Sequence, residues 1–207
     1  MRISDLSRAS GVSIPTIKFY LREGLLAAGR RTAANQATYD ESHLRRLRLV
    51  GVLTDVGGLS LAAVRRVLEA IDDEHLPLTE ILGVAHRALD DPWTITDSAV
   101  PAALIEVDLW LRARQWDVTP DAPARSTLAT TLVALRRLGW EIGPSVFDRY
   151  ADHIDAIARD ELAYVAATES REAAVEATVI GTVVFERAMA ALRRLSQERH
   201  SRELIGS

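Results

Sequence analysis

Two short apolar-faced segments meet at Gly11, and the turn between them leaves few folds open. Ser4 caps a first helix over residues 4–10, with Ile3 and Leu6 on a shared face and Gly11 where the helix must stop. Ser13 caps a second. There Pro15 falls in the first turn, where a missing N–H costs little, and Ile17, Tyr20 and Leu21 form one apolar face before Gly24 closes the helix. Two such helices across a tight turn have the outline of a helix-turn-helix. From 25 to 39 the helical period disappears, and Gly29 and Asn35 supply turn chemistry in a stretch that reads as a hairpin, or wing. Asp40 then caps a third helix with Leu44, Leu47 and Val50 on one side and Arg45, Arg46 and Arg48 largely on the other, ended by Gly57-Gly58. Ser60 caps a fourth, in which Leu59 and Val64 sit at hydrophobic-staple positions and Val64, Val67, Leu68 and Ile71 follow the 3.6-residue period.

The rest of the chain predicts five more helices, over 78–89, 98–115, 122–138, 144–167 and 172–199, separated by Asp91-Pro92, Thr119-Pro120 and Gly143-Pro144. The fold class is therefore mostly α: a winged helix-turn-helix with a small β-hairpin over 1–71, followed by an all-helical domain over 72–207. The last helix carries Val175, Val179, Ile180, Val183, Val184, Ala188, Leu192 and Leu195, a stripe wide enough to bury two faces, with Gly181 permitting close approach.

Charge divides along the same boundary. Residues 1–71 hold eleven Arg and Lys against six Asp and Glu, and residues 72–207 hold fourteen against twenty-three. A basic head on an acidic body has the polarity of a nucleic-acid-binding unit joined to something else. The absence of cysteine removes disulfides, thiolate metal sites and cysteine nucleophiles. No apolar leader follows Met1-Arg2, and the longest uncharged apolar stretch, 177–185, falls short of a membrane span, so a cytoplasmic, nucleoid-associated protein is expected. No nucleophile with its base, phosphate loop or metal constellation stands at recognisable spacing, so neither enzymatic activity nor a cofactor nor a metal is expected. His153, near Asp152, Asp155, Asp160 and Glu161, reads as part of a solvated acidic face.

In a helix-turn-helix the second helix enters the major groove, and its exposed side chains must reach base edges or a thymine methyl. The outward set here is Pro15, Thr16, Lys18, Phe19 and Arg22, with Arg30 and Arg31 on the wing placed for phosphates or the minor groove. The runs ISDLSRASGVSIPTIKFYLREGLL (3–26), RRT (30–32), TYDESHLRRLRLV (38–50) and GGLSLAAVRRVL (57–68), in this order and spacing, resemble the MerR family of transcriptional regulators. The resemblance implies that Thr16, Lys18 and Tyr20 contact DNA, that Arg30 and Arg31 lie on the first wing, and that Tyr39 is the tyrosine at its end. Two departures stand out: Pro15 where the family usually has a basic residue, and Asn35, Gln36 and Ala37 where it usually has glycine, tyrosine and arginine. Asn35 and Gln36 can still hydrogen-bond a phosphate, so a weaker or differently placed grip is expected rather than none. The resemblance further implies a homodimer on pseudo-palindromic, double-stranded promoter DNA. It would bend and untwist the duplex, and act on RNA polymerase indirectly when an effector binds.

The over-wide stripe of the last helix assigns dimerisation to Val179, Ile180, Val183 and Val184. Trp110, Trp116, Trp140, Phe147 and Tyr150 are candidates for an effector pocket taking a small hydrophobic ligand, including a cationic one neutralised by Asp108 or Glu141, although ordinary core packing accounts for the same rings. The competing reading is a protein-interaction module, a partner-dependent regulator that retains a helix-turn-helix. Salt dependence of DNA binding separates the two. Operator sequence, the existence and identity of an effector, the helix that forms the dimer interface and the choice between activation and repression are not written in these residues.

Overall fold

The first helix starts one residue earlier than its serine suggests, because Asp5 and not Ser4 secures the end: the Asp5 carboxylate accepts the Arg2 N–H at 3.0 Å. A computed structural model describes residues 1–33, 36–89 and 97–205. Helix α1 spans Ile3–Ser10 and stops at Gly11, whose φ of 74° is cheap only for glycine. Helix α2 spans Ile14–Arg22, capped by Ser13, whose hydroxyl accepts the Thr16 N–H at 3.3 Å. Strands β1 (Arg30–Ala33) and β2 (Gln36–Thr38) pair antiparallel, Arg30 opposite Thr38 and Arg31 opposite Ala37.

Helix α3, Glu41–Gly51, is capped by Asp40, whose carboxylate accepts the Ser42 N–H at 3.0 Å. Hydrogen bonds from the Ser42 hydroxyl, and then from His43, hold that carboxyl well below the usual carboxylate range. Where a plain helix was expected as far as Gly57, the chain widens into a π turn over Val52–Val56. Thr54 explains the change: its hydroxyl donates back to the Val50 and Gly51 carbonyls, at 2.9 and 3.2 Å, and such back-bonding loosens the ladder. Ser60 caps α4, Leu61–Asp72, as its position predicts.

The chain folds as two compact units, Met1–Leu76 with Val179–Ser207 and Pro77–Thr178. In the first, Leu6, Ile17, Leu26, Tyr39, Leu44 and Leu47 form one buried cluster that joins α1, α2, the base of the wing and α3. The second comprises α5 (Leu78–Leu89), α6 (Val100–Ala113), α7 (Pro123–Arg137), a 3-10 turn at Pro144–Phe147 and α8 (Asp148–Ala166). Helix α9, Arg171–Ile205, contributes its first turns to the second unit and the remainder to the first.

Helices α6 and α7 bury Ala103, Val107, Leu111, Ala129, Leu132 and Val133 between them, and ion pairs stitch their flanks. Arg125 grips Asp108 with Nε at 2.7 Å, and Arg136 grips Glu106 bidentately at 2.7 and 2.8 Å. These guanidinium hydrogen bonds pull both carboxyls below their ordinary values. A carboxyl depressed in the folded state stabilises it above the unfolded pKa, and that contribution is lost as pH falls through the folded value. The midpoint of urea unfolding of the second unit is therefore expected to hold steady at neutral pH and drop from about pH 4.5 downward. Tryptophan fluorescence follows this unit selectively, since Trp110, Trp116 and Trp140 lie within it and the sequence has no tryptophan in residues 1–76 or 179–207. The Glu106→Gln, Asp108→Asn double variant should begin less stable and lose less on acidification; a drop as steep as that of the parent chain would contradict the assignment.

Candidate nucleic-acid interface

Helix α2 has two faces three and four residues apart. Ile17 is fully buried and Leu21 packs against the same cluster, which turns Pro15, Lys18 and Arg22 together into solvent. The exposed face thus offers a rigid apolar ring and two cations. Thr16 is half-buried, and its hydroxyl is 2.7 Å from that of Ser13 at the helix cap. Phe19 and Tyr20 are half-buried neighbours with ring centroids 5.8 Å apart, and the Arg22 guanidinium lies 5.4 Å from the Phe19 centroid. The Phe19 ring therefore holds Arg22 along the helix surface.

Arg30, Arg31 and Gln36 are exposed on the hairpin, while Asn35 lies outside the described residues. Tyr39 is placed differently from a contact residue. Its ring is 8% exposed within the core cluster, 5.2 Å edge-on to His43, and a Cβ on Gly29 would come within 2.8 Å of it. Its backbone also joins the amino terminus, with the Tyr39 N–H donating to the Met1 carbonyl at 2.8 Å. The tyrosine fixes the foot of the wing.

Helix α3 separates its arginines. Arg45 and Arg48 are exposed, but Arg46 is committed inside the unit: Nε donates to the Leu25 carbonyl at 3.1 Å and both terminal nitrogens hold Asp72, at 2.6 and 2.8 Å. Arg65 of α4 plays a matching part at the other edge, donating to the Glu23 carbonyl at 3.0 Å and its carboxylate at 3.3 Å. Both arginines grip the chain just after α2. The helical period marks them only as outward-facing, since their partners lie 21 to 42 residues away.

The second unit gathers three of the five candidate pocket rings. Trp110 meets Trp116 and Phe147, each at 6.2 Å in edge contact, whereas Trp140 and Tyr150 are more than half exposed. The cation seat of this cluster is already taken, with Arg114 at 5.4 Å from the Trp110 centroid and 5.5 Å from that of Trp116. Asp148 and Asp152 anchor the guanidinium, and Asp148 also accepts the Trp110 indole N–H at 2.8 Å. Asp108, the suggested counter-charge for a ligand, is engaged with Arg125. In α9, Val179 and Val183 are fully buried within a single chain, while Ile180 and Val184 are half-buried. Among the described side chains of that helix, the large apolar ones left exposed are Phe185, Leu192, Leu195 and Leu204.

Residues 1–71 match the MerR HTH family of regulatory proteins. A crystal structure of SCO5550, a candidate transcriptional regulator from Streptomyces coelicolor A3(2), shares 40% identity over 98% of this chain and 97% of its own, with a TM-score of 0.74. The chain belongs to the MerR family. By family it is a transcriptional regulator. Among curated proteins it is similar to the nodulation protein NolA of Bradyrhizobium sp. strain NC92, at 35% identity over 81 residues, and to the transcriptional regulator ZntR of Escherichia coli K12, at 30% over 91. These matches cover 39% and 44% of this chain, and 32% and 64% of the relatives' own lengths. The MerR-type head is thus shared widely, while the body has its likeness in the Streptomyces structure. No helix among the described residues is long and apolar enough to cross a membrane.

Proposed function

We propose that this MerR-family chain binds a pseudo-palindromic promoter duplex as a homodimer, with α2 in the major groove and the wing on the flanking backbone. The observation that carries the reading is the exposed Pro15, Lys18 and Arg22 face, held rigid from beneath by Ile17 and flanked by Arg30 and Arg31. Pro15 suits a thymine methyl, Lys18 and Arg22 suit base edges or phosphates, and the wing arginines suit phosphates. Thr16, Phe19 and Tyr20 shape this face more than they project from it, and Asn35 stands as a further phosphate contact on the sequence reading alone. Two linked heads raise affinity by making the second contact intramolecular. Bending a site costs about 1–6 kcal/mol, which a firmly joined dimer can supply, and the distortion is the route to RNA polymerase. The place of action is then the nucleoid, in the cytoplasm.

For the dimer contact we favour the exposed stripe Phe185, Leu192 and Leu195, because Val179 and Val183 are spent within one chain. For the effector, the Trp110, Trp116 and Phe147 cluster suits a flat apolar ligand that stacks beside Arg114 or displaces it.

Duplexes selected from a random pool by the full chain should share inverted half-sites, and affinity should fall steeply as salt rises. Each phosphate contact contributes about 0.9 to the slope of log affinity against log salt, so the Arg30→Ala, Arg31→Ala pair should flatten it by roughly 2. Failure to enrich any duplex, or an affinity indifferent to salt, would favour the protein-interaction reading.

A further inference from the structure

Helix α9 returns to the head more than a hundred residues after leaving it and grips one point. Gly57, at the end of the π turn, is buried, and a Cβ there would overlap Val183 Cγ1 and stand 2.7 Å from the Leu53 carbonyl oxygen. One turn further along α9, Arg187 donates from Nη2 to the Gly57 carbonyl at 3.0 Å. Val183 and Arg187 are four residues apart, so both grips lie on one face of the helix. The joint satisfies its own amides internally: Gly57 donates to Val52 at 2.9 Å, Gly58 to Thr54 at 3.1 Å and Leu59 to Leu53 at 3.0 Å. Its outward carbonyl is taken by α9.

That joint sets α4 against α3, and α4 is tied to the recognition helix. Arg65 holds the Glu23 carbonyl and carboxylate directly after α2, and Asp72 holds Arg46, which in turn holds the Leu25 carbonyl. π turns occur mostly as single-turn bulges inside α-helices, frequently at functional sites. We propose that Val183 and Arg187 are positioning residues for DNA recognition: through Gly57, α4 and the Arg65 to Glu23 contact, the last helix sets the pose of α2. Whatever covers or moves α9 then alters how well the head fits its site without touching the DNA. This rests on the DNA-binding reading above and adds to it a route of control.

The test uses the full chain with Arg187→Ala and the conservative Arg187→Lys. In the free protein, hydrogen exchange should quicken at the amides of Gly57 to Leu59 and at Glu23 to Leu26 in Arg187→Ala, and be largely restored in Arg187→Lys. On a duplex selected by the parent chain, Arg187→Ala should lose about tenfold of its preference over a duplex with one half-site scrambled. Its salt slope should stay unchanged, because no phosphate contact has gone. A slope lower by about 1 would make Arg187 a phosphate contact and overturn the proposal, as would undiminished preference. If the parent chain selects no duplex, the DNA reading fails, and the exchange measurement still decides the mechanical claim. Unchanged protection at 23–26 would overturn it, and faster exchange there would uphold it.

Discussion

Alanine at Gly57 is expected to destabilise the first unit by about 2 kcal/mol, a large share of the 5–15 kcal/mol that holds a typical domain together. Two effects oppose each other. Gly57 has φ of −68°, which any residue adopts, so alanine would stabilise by about 0.4–1 kcal/mol through the unfolded chain. Against this, the added methyl meets a fully buried valine and a backbone carbonyl at 2.7 Å, neither of which can swing aside. Overpacking of this kind costs about 1–3 kcal/mol, occasionally more, and should win. Urea unfolding followed by circular dichroism measures the result. The Val183→Ala background provides the check, since removing the opposing methyl groups should make Gly57→Ala less costly there than in the parent chain. A neutral Gly57→Ala, or costs that simply add, would mean that α9 does not sit where the structure places it.

Ile17→Ala should be costlier still. Ile17 has no exposed surface and is the side chain by which α2 is fastened to Leu6, Leu26, Leu44 and Leu47. Truncating such a residue costs about 2–5 kcal/mol, the transfer of the lost methyl and methylene groups plus the cavity left behind. DNA affinity should fall with it, because the exposed cations ride on the helix this residue anchors. The informative comparison is Lys18→Ala, on the opposite face, which should weaken binding while leaving the unfolding free energy within about 0.5 kcal/mol of the parent. If Ile17→Ala were as stable as Lys18→Ala, the inward and outward faces of α2 would be assigned the wrong way round.

The contrast between those two residues marks what the sequence makes legible. Local rules place α2 well: Ser13, Pro15 and Gly24 bound it, and the 3.6-residue period separates Ile17 from Lys18. The same rules placed α5 at Leu78–Leu89 and the caps at Asp40 and Ser60. Small misses were local too. Asp5 outcompetes Ser4 for the first amide, and α9 runs on to Ile205 because Glu198 with Arg202, and Arg199 with Glu203, pair along its exposed end. Arg46, Tyr39 and Val183 were read less well for a different reason. Each is defined by a partner remote in sequence: Asp72 and the Leu25 carbonyl, the core beneath the wing, and Gly57. The sequence reads the α9 stripe as too wide for one core face; that Val183 is spent on Gly57 of the same chain depends on a contact across more than a hundred residues, to which periodicity is blind.

The π turn at Val52–Val56 has a consequence for how such a head could vary in length. A π turn accommodates one residue more than an α turn. Were this stretch to close into ordinary α-helix without losing that residue, everything beyond it would rotate by about 100°, the angle of one residue at 3.6 per turn. Gly57 would then face away from α9. A chain one residue shorter could present the same flat seat from an unbroken helix, so the two designs are a single deletion apart.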